Sequence, residues 1–156
     1  MKLVTYALKG SESVGAVIAR DKIVLDLKAA DRALARSEKR QANTFFGDML
    51  SFLSAGSKAM AAARKVVKAA EKKLGDEPKA DGKTTHFLTR VKLKAPSPTP
   101  RKLFCLAGNF QDHIEEGGGR MTAQDKETPR IFMKPPSTTV IGTEDKILIP
   151  PIARAI

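Results

Sequence analysis

A chain of 156 residues carries 28 Lys and Arg against 17 Asp and Glu, a formal charge of +11, and its 42% hydrophobic content suffices for one ordinary globular domain, or a small domain plus part of another. A single cysteine excludes an intrachain disulfide framework, and no apolar run approaches the roughly 18 residues that a membrane helix needs. No signal peptide is evident at Met1-Lys2-Leu3-Val4, so a reducing cytoplasm is the expected location.

In chain order, Lys2 to Leu8 reads as a strand and Lys9-Gly10-Ser11 as a turn. Val14 to Ile18 and Ile23 to Leu27 follow as strands joined at Arg20-Asp21, a small antiparallel meander. Helix formers take over from Ala29 to Arg40. Thr44 is placed to cap a short helix through Leu53, and Ser57 to cap a long one to Leu74 with Gly75 as its stop. In the long helix Met60, Ala63, Val67, Ala70 and Leu74 recur at three- and four-residue steps, an apolar stripe for packing on the meander. Lys58, Lys65, Lys68, Lys72 and Lys73 fall largely on other faces.

Gly75 to Lys83 reads as a loop and His86 to Leu93 as a further strand, with His86 structural or solvated. The run Ala95-Pro96-Ser97-Pro98-Thr99-Pro100 sustains neither a helix nor a central strand and marks a boundary. The expected organisation is α+β: a small α+β domain over 1–94, a proline-rich linker over 95–100, and the start of a β-rich domain over 101–156.

Between Ser57 and Lys102, thirteen Lys and Arg stand against four acids, which is +9 of the total +11. Such a patch suits nucleic acid or an acidic partner. Base stacking needs aromatics, however, and Phe87 is alone in that span while the chain has no Trp. A solvated helix face with a basic linker is the preferred reading, and a basic binding module is kept as the rival of a different class.

The chemistry-bearing residues lie between Leu103 and Gly142. A strand, Leu103-Phe104-Cys105-Leu106, runs through Ala107-Gly108-Asn109 into a polar segment with Asp112, His113, Glu115 and Glu116; a second strand, Ile131-Phe132-Met133, delivers Lys134 into Pro135-Pro136-Ser137-Thr138. If Asp112 caps a short helix, His113 and Glu116 share one face at i and i+3, where the carboxylate holds the imidazole's tautomer and raises its basicity. The same histidine can equally be a solvated loop residue. Gly117-Gly118-Gly119 reads either as a hinge for a lid or as a loose connection. Cys105, inside an apolar strand, is a packed small hydrophobe rather than a nucleophile.

The motifs Gly108-Asn109-Phe110, Asp112-His113, Glu116, Phe132-Met133-Lys134-Pro135-Pro136-Ser137-Thr138, Val140-Ile141-Gly142 and Ile147-Leu148-Ile149-Pro150-Pro151 agree in order and spacing with the fumarylacetoacetate hydrolase family, which this sequence resembles from about Leu93 to Pro151. The resemblance implies a mostly β catalytic domain after the linker. It also implies a metal-dependent enzyme that hydrolyses a carbon–carbon bond in a 2-oxo or 1,3-diketo acid such as an acylpyruvate. An oxaloacetate decarboxylase, tautomerase or isomerase on the same scaffold is the alternative. By resemblance His113 is the general base, Glu116 its orienting partner and Lys134 the stabiliser of developing negative charge. Asn109, Phe110, Ser137 and Thr138 would bind substrate, and the assembly would be a homodimer.

The family's metal, usually magnesium and otherwise manganese or calcium, is held by carboxylates at alternating strand positions. Asp112, Glu115, Glu116, Asp125, Glu127, Glu144 and Asp145 match no such motif. The metal ligands are therefore expected beyond Ile156, and the 156 residues are expected to be an inactive N-terminal portion of a longer enzyme.

Overall fold

The structure, a computed structural model, describes residues 1–75, 79–120, 122 and 128–152. It divides into two compact units, one built from residues 1–98 and 141–156 and the other from residues 99–140.

The first unit is an antiparallel sheet of β1 (Lys2–Leu8), β2 (Ser11–Ile18), β3 (Ile23–Asp26), β4 (Thr85–Phe87) and β5 (Lys92–Leu93), in the order β4-β3-β2-β1-β5. With helices on one face, this is the α+β class expected from the sequence. Only a 3-10 turn, Leu88–Arg90, separates β4 from β5, although the two strands occupy opposite edges. Five flat strands would set those edges about 19 Å apart. The five steps from Phe87 to Lys92 reach at most about 17 Å, and less through a 3-10 turn, so the sheet must curl. The single strand expected over 86–93 is thus two short strands that switch edges.

Alternation assigns each face. Val14, Ala16, Ile18, Ile23 and Leu25 point to one side and form the main core with Leu27, Ala30, Phe46, Phe52, Ala63 and Val66. The other face lies inside the curl, where the Tyr6 and His86 rings approach to 6.1 Å from strands three positions apart. Gly15 makes this possible, because a Cβ there would lie 2.6 Å from Val24 Cγ1 and 3.0 Å from Tyr6 Cε1. Inside the curl the Tyr6 hydroxyl donates to Asp26 Oδ2 at 2.7 Å. Burial, followed by the hydrogen bond and charge of Asp26, raises the phenol well above the usual tyrosine range.

Three helices cover the outer face: α1 (Leu27–Ser37), α2 (Met49–Ser54) and α3 (Gly56–Leu74). The starts of α1 and α2 differ from the sequence reading because carboxylates take the capping role. Asp26 Oδ1 accepts from Ala29 N at 2.7 Å, so α1 begins directly at the end of β3. Asp48, rather than Thr44, caps α2 through Ser51 N at 2.9 Å. The N-cap of α3 is Ala55, with no side-chain bond, so Ser57 does not cap it; Gly75 ends it at φ 63° as expected. After α1, Arg40 and Asn43 fold back onto the buried Asp31, whose carboxylate accepts from Arg40 Nη2 at 2.7 Å, Asn43 N at 2.6 Å and Asn43 Nδ2 at 3.0 Å.

The returning segment docks beside β5. Lys92 Nζ reaches Asp145 Oδ1 at 2.6 Å, and Asp145 Oδ2 accepts from Gly142 N at 2.9 Å. A Cβ on Gly142 would sit 3.0 Å from the Lys94 and Ala95 backbone, which only glycine accommodates. The second unit is a two-stranded antiparallel ribbon of β6 (Leu103–Ala107) and β7 (Arg130–Lys134), with α4 (Gln111–Glu116) and a helical turn, Pro136–Thr139.

Candidate active site

The candidate residues His113, Glu116, Lys134, Asn109, Phe110, Ser137 and Thr138 all belong to the second unit. β6 leads through Gly108, at φ 61°, into α4. The N-cap of α4 is Phe110 without a side-chain bond, so Asp112 is not the cap. It stands in the first turn, where its charge complements the helix dipole. His113 Nδ1 lies 3.5 Å from Glu116 Oε2, and both side chains are 78% exposed. Glu115 instead accepts from Gln111 Nε2 at 2.6 Å, which leaves Glu116 to the imidazole.

Ile114 alone of this helix turns inward. Its side chain meets Gly108 and Gly119, where a Cβ would come within 3.5 and 3.0 Å, and its carbonyl accepts from Gly119 N at 3.0 Å. The glycines on either side of α4 are therefore packing positions for one isoleucine. None of the helix's residues is buried.

Strand register places the other group. Leu103 pairs with Lys134 and Ala107 with Arg130, so α4 leaves one end of the ribbon while Lys134 and the Ser137-Thr138 turn leave the other. The separation along the strands is four residue steps, about 14 Å. In the turn, Thr138 N and Thr139 N both donate to Pro135 O, at 3.3 and 3.2 Å. Arg130, which the sequence reading did not single out, stands at the same end as α4; only strand register could have found it.

One ribbon face presents Phe104, Leu106, Ile131 and Met133, between 49% and 69% exposed. An open polar depression beside α4 is lined by Gln111, Glu115, Gly118, Gly119 and Arg120, and does not include His113 or Glu116. An apolar cavity of about 300 Å³ lies in the first unit against Ala30, Leu34, Val66, Ala70, Leu74 and Thr85, with none of the candidate residues in its lining. Among the described residues no three His, Cys, Asp or Glu side chains converge as a metal site requires. Two of the acids weighed from the sequence, Asp125 and Glu127, lie outside the described residues. No helix among the described residues is long and apolar enough to cross a membrane.

The chain is similar to oxaloacetate tautomerase YisK of Bacillus subtilis (strain 168), 36% identical over 146 residues, or 93% of this chain and 44% of that protein. It is similar to the mitochondrial oxaloacetate tautomerase Fahd2a of Rattus norvegicus, 28% identical over 133 residues, 85% of this chain and 34% of that one. An uncharacterized protein of Archaeoglobus fulgidus is 39% identical over 69 residues, 44% of this chain and 25% of its own length. The chain thus spans less than half the length of the curated relatives it matches. No family model matches it. The two tautomerases support the family resemblance carried by the motifs without selecting one member.

Proposed function

We propose that this chain supplies the base and a cationic side chain of a fumarylacetoacetate hydrolase family enzyme that interconverts the keto and enol forms of oxaloacetate. The observation that carries this reading is the similarity to a named oxaloacetate tautomerase, spread over 93% of the chain. Hydrolysis of an acylpyruvate is the second reading, favoured by the motif resemblance, and it passes through the same kind of enolate.

Tautomerisation moves one proton from carbon 3 of the substrate to its carbonyl oxygen. His113 takes the carbon-bound proton, Glu116 holds the ring and offsets its positive charge, and the ammonium of Lys134 balances the charge growing on the enolate oxygen. The imidazolium then gives its proton to that oxygen, which completes the enol and restores the base. Asn109, Phe110, Ser137 and Thr138 position the substrate from the two ends of the ribbon. Joint action across about 14 Å requires α4 to close over the end of β7. Its lack of buried residues suits it to that movement.

A magnesium, manganese or calcium ion, when bound, would polarise the enolate oxygens. The described residues offer no cluster that fits it, so its ligands are sought elsewhere in the protein and no step above runs through it. A cytoplasmic homodimer is part of the same proposal. The test follows decay of enol absorbance after oxaloacetate is added to the intact protein, with acylpyruvate hydrolysis as the parallel assay. Enol loss above the spontaneous rate, reduced in His113→Ala, supports the reading; hydrolysis with no effect on the enol would replace it with the second.

A further inference from the structure

The helical layer of the first unit has a chemistry that the proposed reaction does not use. Buried Ala59, Ala63, Val66 and Val67 fix the inward side of α3, which turns Lys58, Arg64, Lys65, Lys68 and Lys72 outward, all exposed. Lys58, Lys65 and Lys72 repeat every seven residues, two helical turns or about 10 Å apart, so the row is about 21 Å long. α1 packs beside α3 and presents Lys28, Arg32 and Arg36 to solvent.

Acids scarcely interrupt this layer. Asp31 of α1 is buried, and Glu38, just past α1, is bonded by both Lys65 at 2.9 Å and Arg40 at 2.8 Å; those hydrogen bonds hold its carboxyl below the usual range. Glu71 is the remaining acid of the two helices. Lys28, Arg32, Arg36, Lys58, Arg64, Lys68 and Lys72 form no ion pair with the described residues. The +9 that is merely a linear count in the sequence is, over its first part, a regular array on one surface.

The rest of the surface narrows the partner. No large apolar side chain of either helix is exposed, and the uncharged outward positions are Ala33, Ser37, Gly56, Ser57 and Ala61. A protein partner would be expected to find an aromatic or aliphatic anchor, and an anionic bilayer an apolar edge to bury. Single-stranded nucleic acid would be expected to find rings for stacking. The phosphodiester backbone of a duplex asks only for a row of cations.

We propose that the outward face of α1 and α3 binds duplex nucleic acid through its phosphates, without reading sequence. The inference is independent of the enzymatic reading. Anisotropy of a labelled random-sequence duplex, titrated with the intact protein between about 50 and 200 mM salt, tests it. Contact with about five phosphates gives a log–log salt slope of about −4 to −5, an affinity loss on the order of 10²–10³-fold over that range.

The triple variant Arg64→Gln, Lys68→Gln, Lys72→Gln is expected to weaken binding at low salt at least about ten-fold and to flatten the slope by about 3. The charge-matched control Lys9→Gln, Arg90→Gln, Lys94→Gln, in the same unit but outside both helices, is expected to bind nearly as the parent does. Equal loss in both triples would assign the effect to net charge and overturn the proposal. So would absence of salt-dependent binding, or tighter binding to phosphatidylserine vesicles than to the duplex.

Discussion

Replacing Glu116 by Gln isolates the carboxylate's part in the proposed dyad, because the amide keeps the size and removes the charge. In the described conformation the pair is 3.5 Å apart with both partners 78% exposed. Two charges at that separation in water interact by about 1 kcal/mol, and measured exposed pairs give about 0.2–1 kcal/mol. If α4 stays open during turnover, Glu116→Gln therefore costs no more than about five-fold. If α4 closes over the ribbon and expels water, the effective dielectric falls towards about 20 and the same geometry supports at most about 5 kcal/mol, a few thousand-fold.

The account requires closure, so kcat in Glu116→Gln is expected to fall about 10²-fold, and in His113→Ala about 10²–10⁴-fold. Steady-state tautomerisation of oxaloacetate by the intact protein measures both, with the double variant losing little beyond His113→Ala alone because the residues act as one unit. A Glu116→Gln loss below five-fold beside a large His113→Ala loss would refute closure. Unchanged turnover in His113→Ala would refute the dyad.

Three further predictions concern the fold that carries the site. Asp31→Ala strands the half-buried Asn43 donors and the Arg40 guanidinium and should lower unfolding free energy by about 3 kcal/mol in a urea titration; a loss under about 1 kcal/mol would show that the loop after α1 repacks freely. The raised Tyr6 hydroxyl keeps its proton in the folded state when the unfolded chain has lost it, so stability is full below the ordinary tyrosine value near 10 and falls as pH rises through it. Tyr6→Phe should remove that alkaline slope, and an unchanged slope would place its origin elsewhere. Burial pushes the Asp81 carboxyl up, but hydrogen bonds from Thr84, Thr85 and Lys83 outweigh it and hold the group below the usual value of 3.8. Its stabilisation is present above that pH and is lost as pH falls through it, a decline that Asp81→Asn should flatten in acid denaturation.

What could be read from the chain was what short range determines. The three opening strands follow from short apolar runs broken at Lys9-Gly10-Ser11 and Arg20-Asp21, and the His113–Glu116 approach needs only one helical turn. The start of α2 slipped because Thr44 and Asp48 are both capping residue types, and α1 began early because Asp26, read within the strand over 23–27, caps it instead. The break in the strand over 86–93 was invisible, since nothing within those residues shows that the chain must pass between opposite edges of a curled sheet. Nor could spacing reveal that α4 and Lys134 leave opposite ends of the ribbon, which register alone decides. The basic array was legible as a count, but its confinement to one surface depends on how α3 is turned by its buried alanines and valines.

Exchange at carbon 3 of oxaloacetate tests the central claim most directly, because removing that proton is the single act assigned to His113. In heavy water, proton NMR of oxaloacetate with the intact protein should show deuterium entering carbon 3 well above the spontaneous rate, and His113→Ala should return it to that rate. Exchange at the spontaneous rate with the unaltered protein, or equal exchange with His113→Ala, would contradict the account.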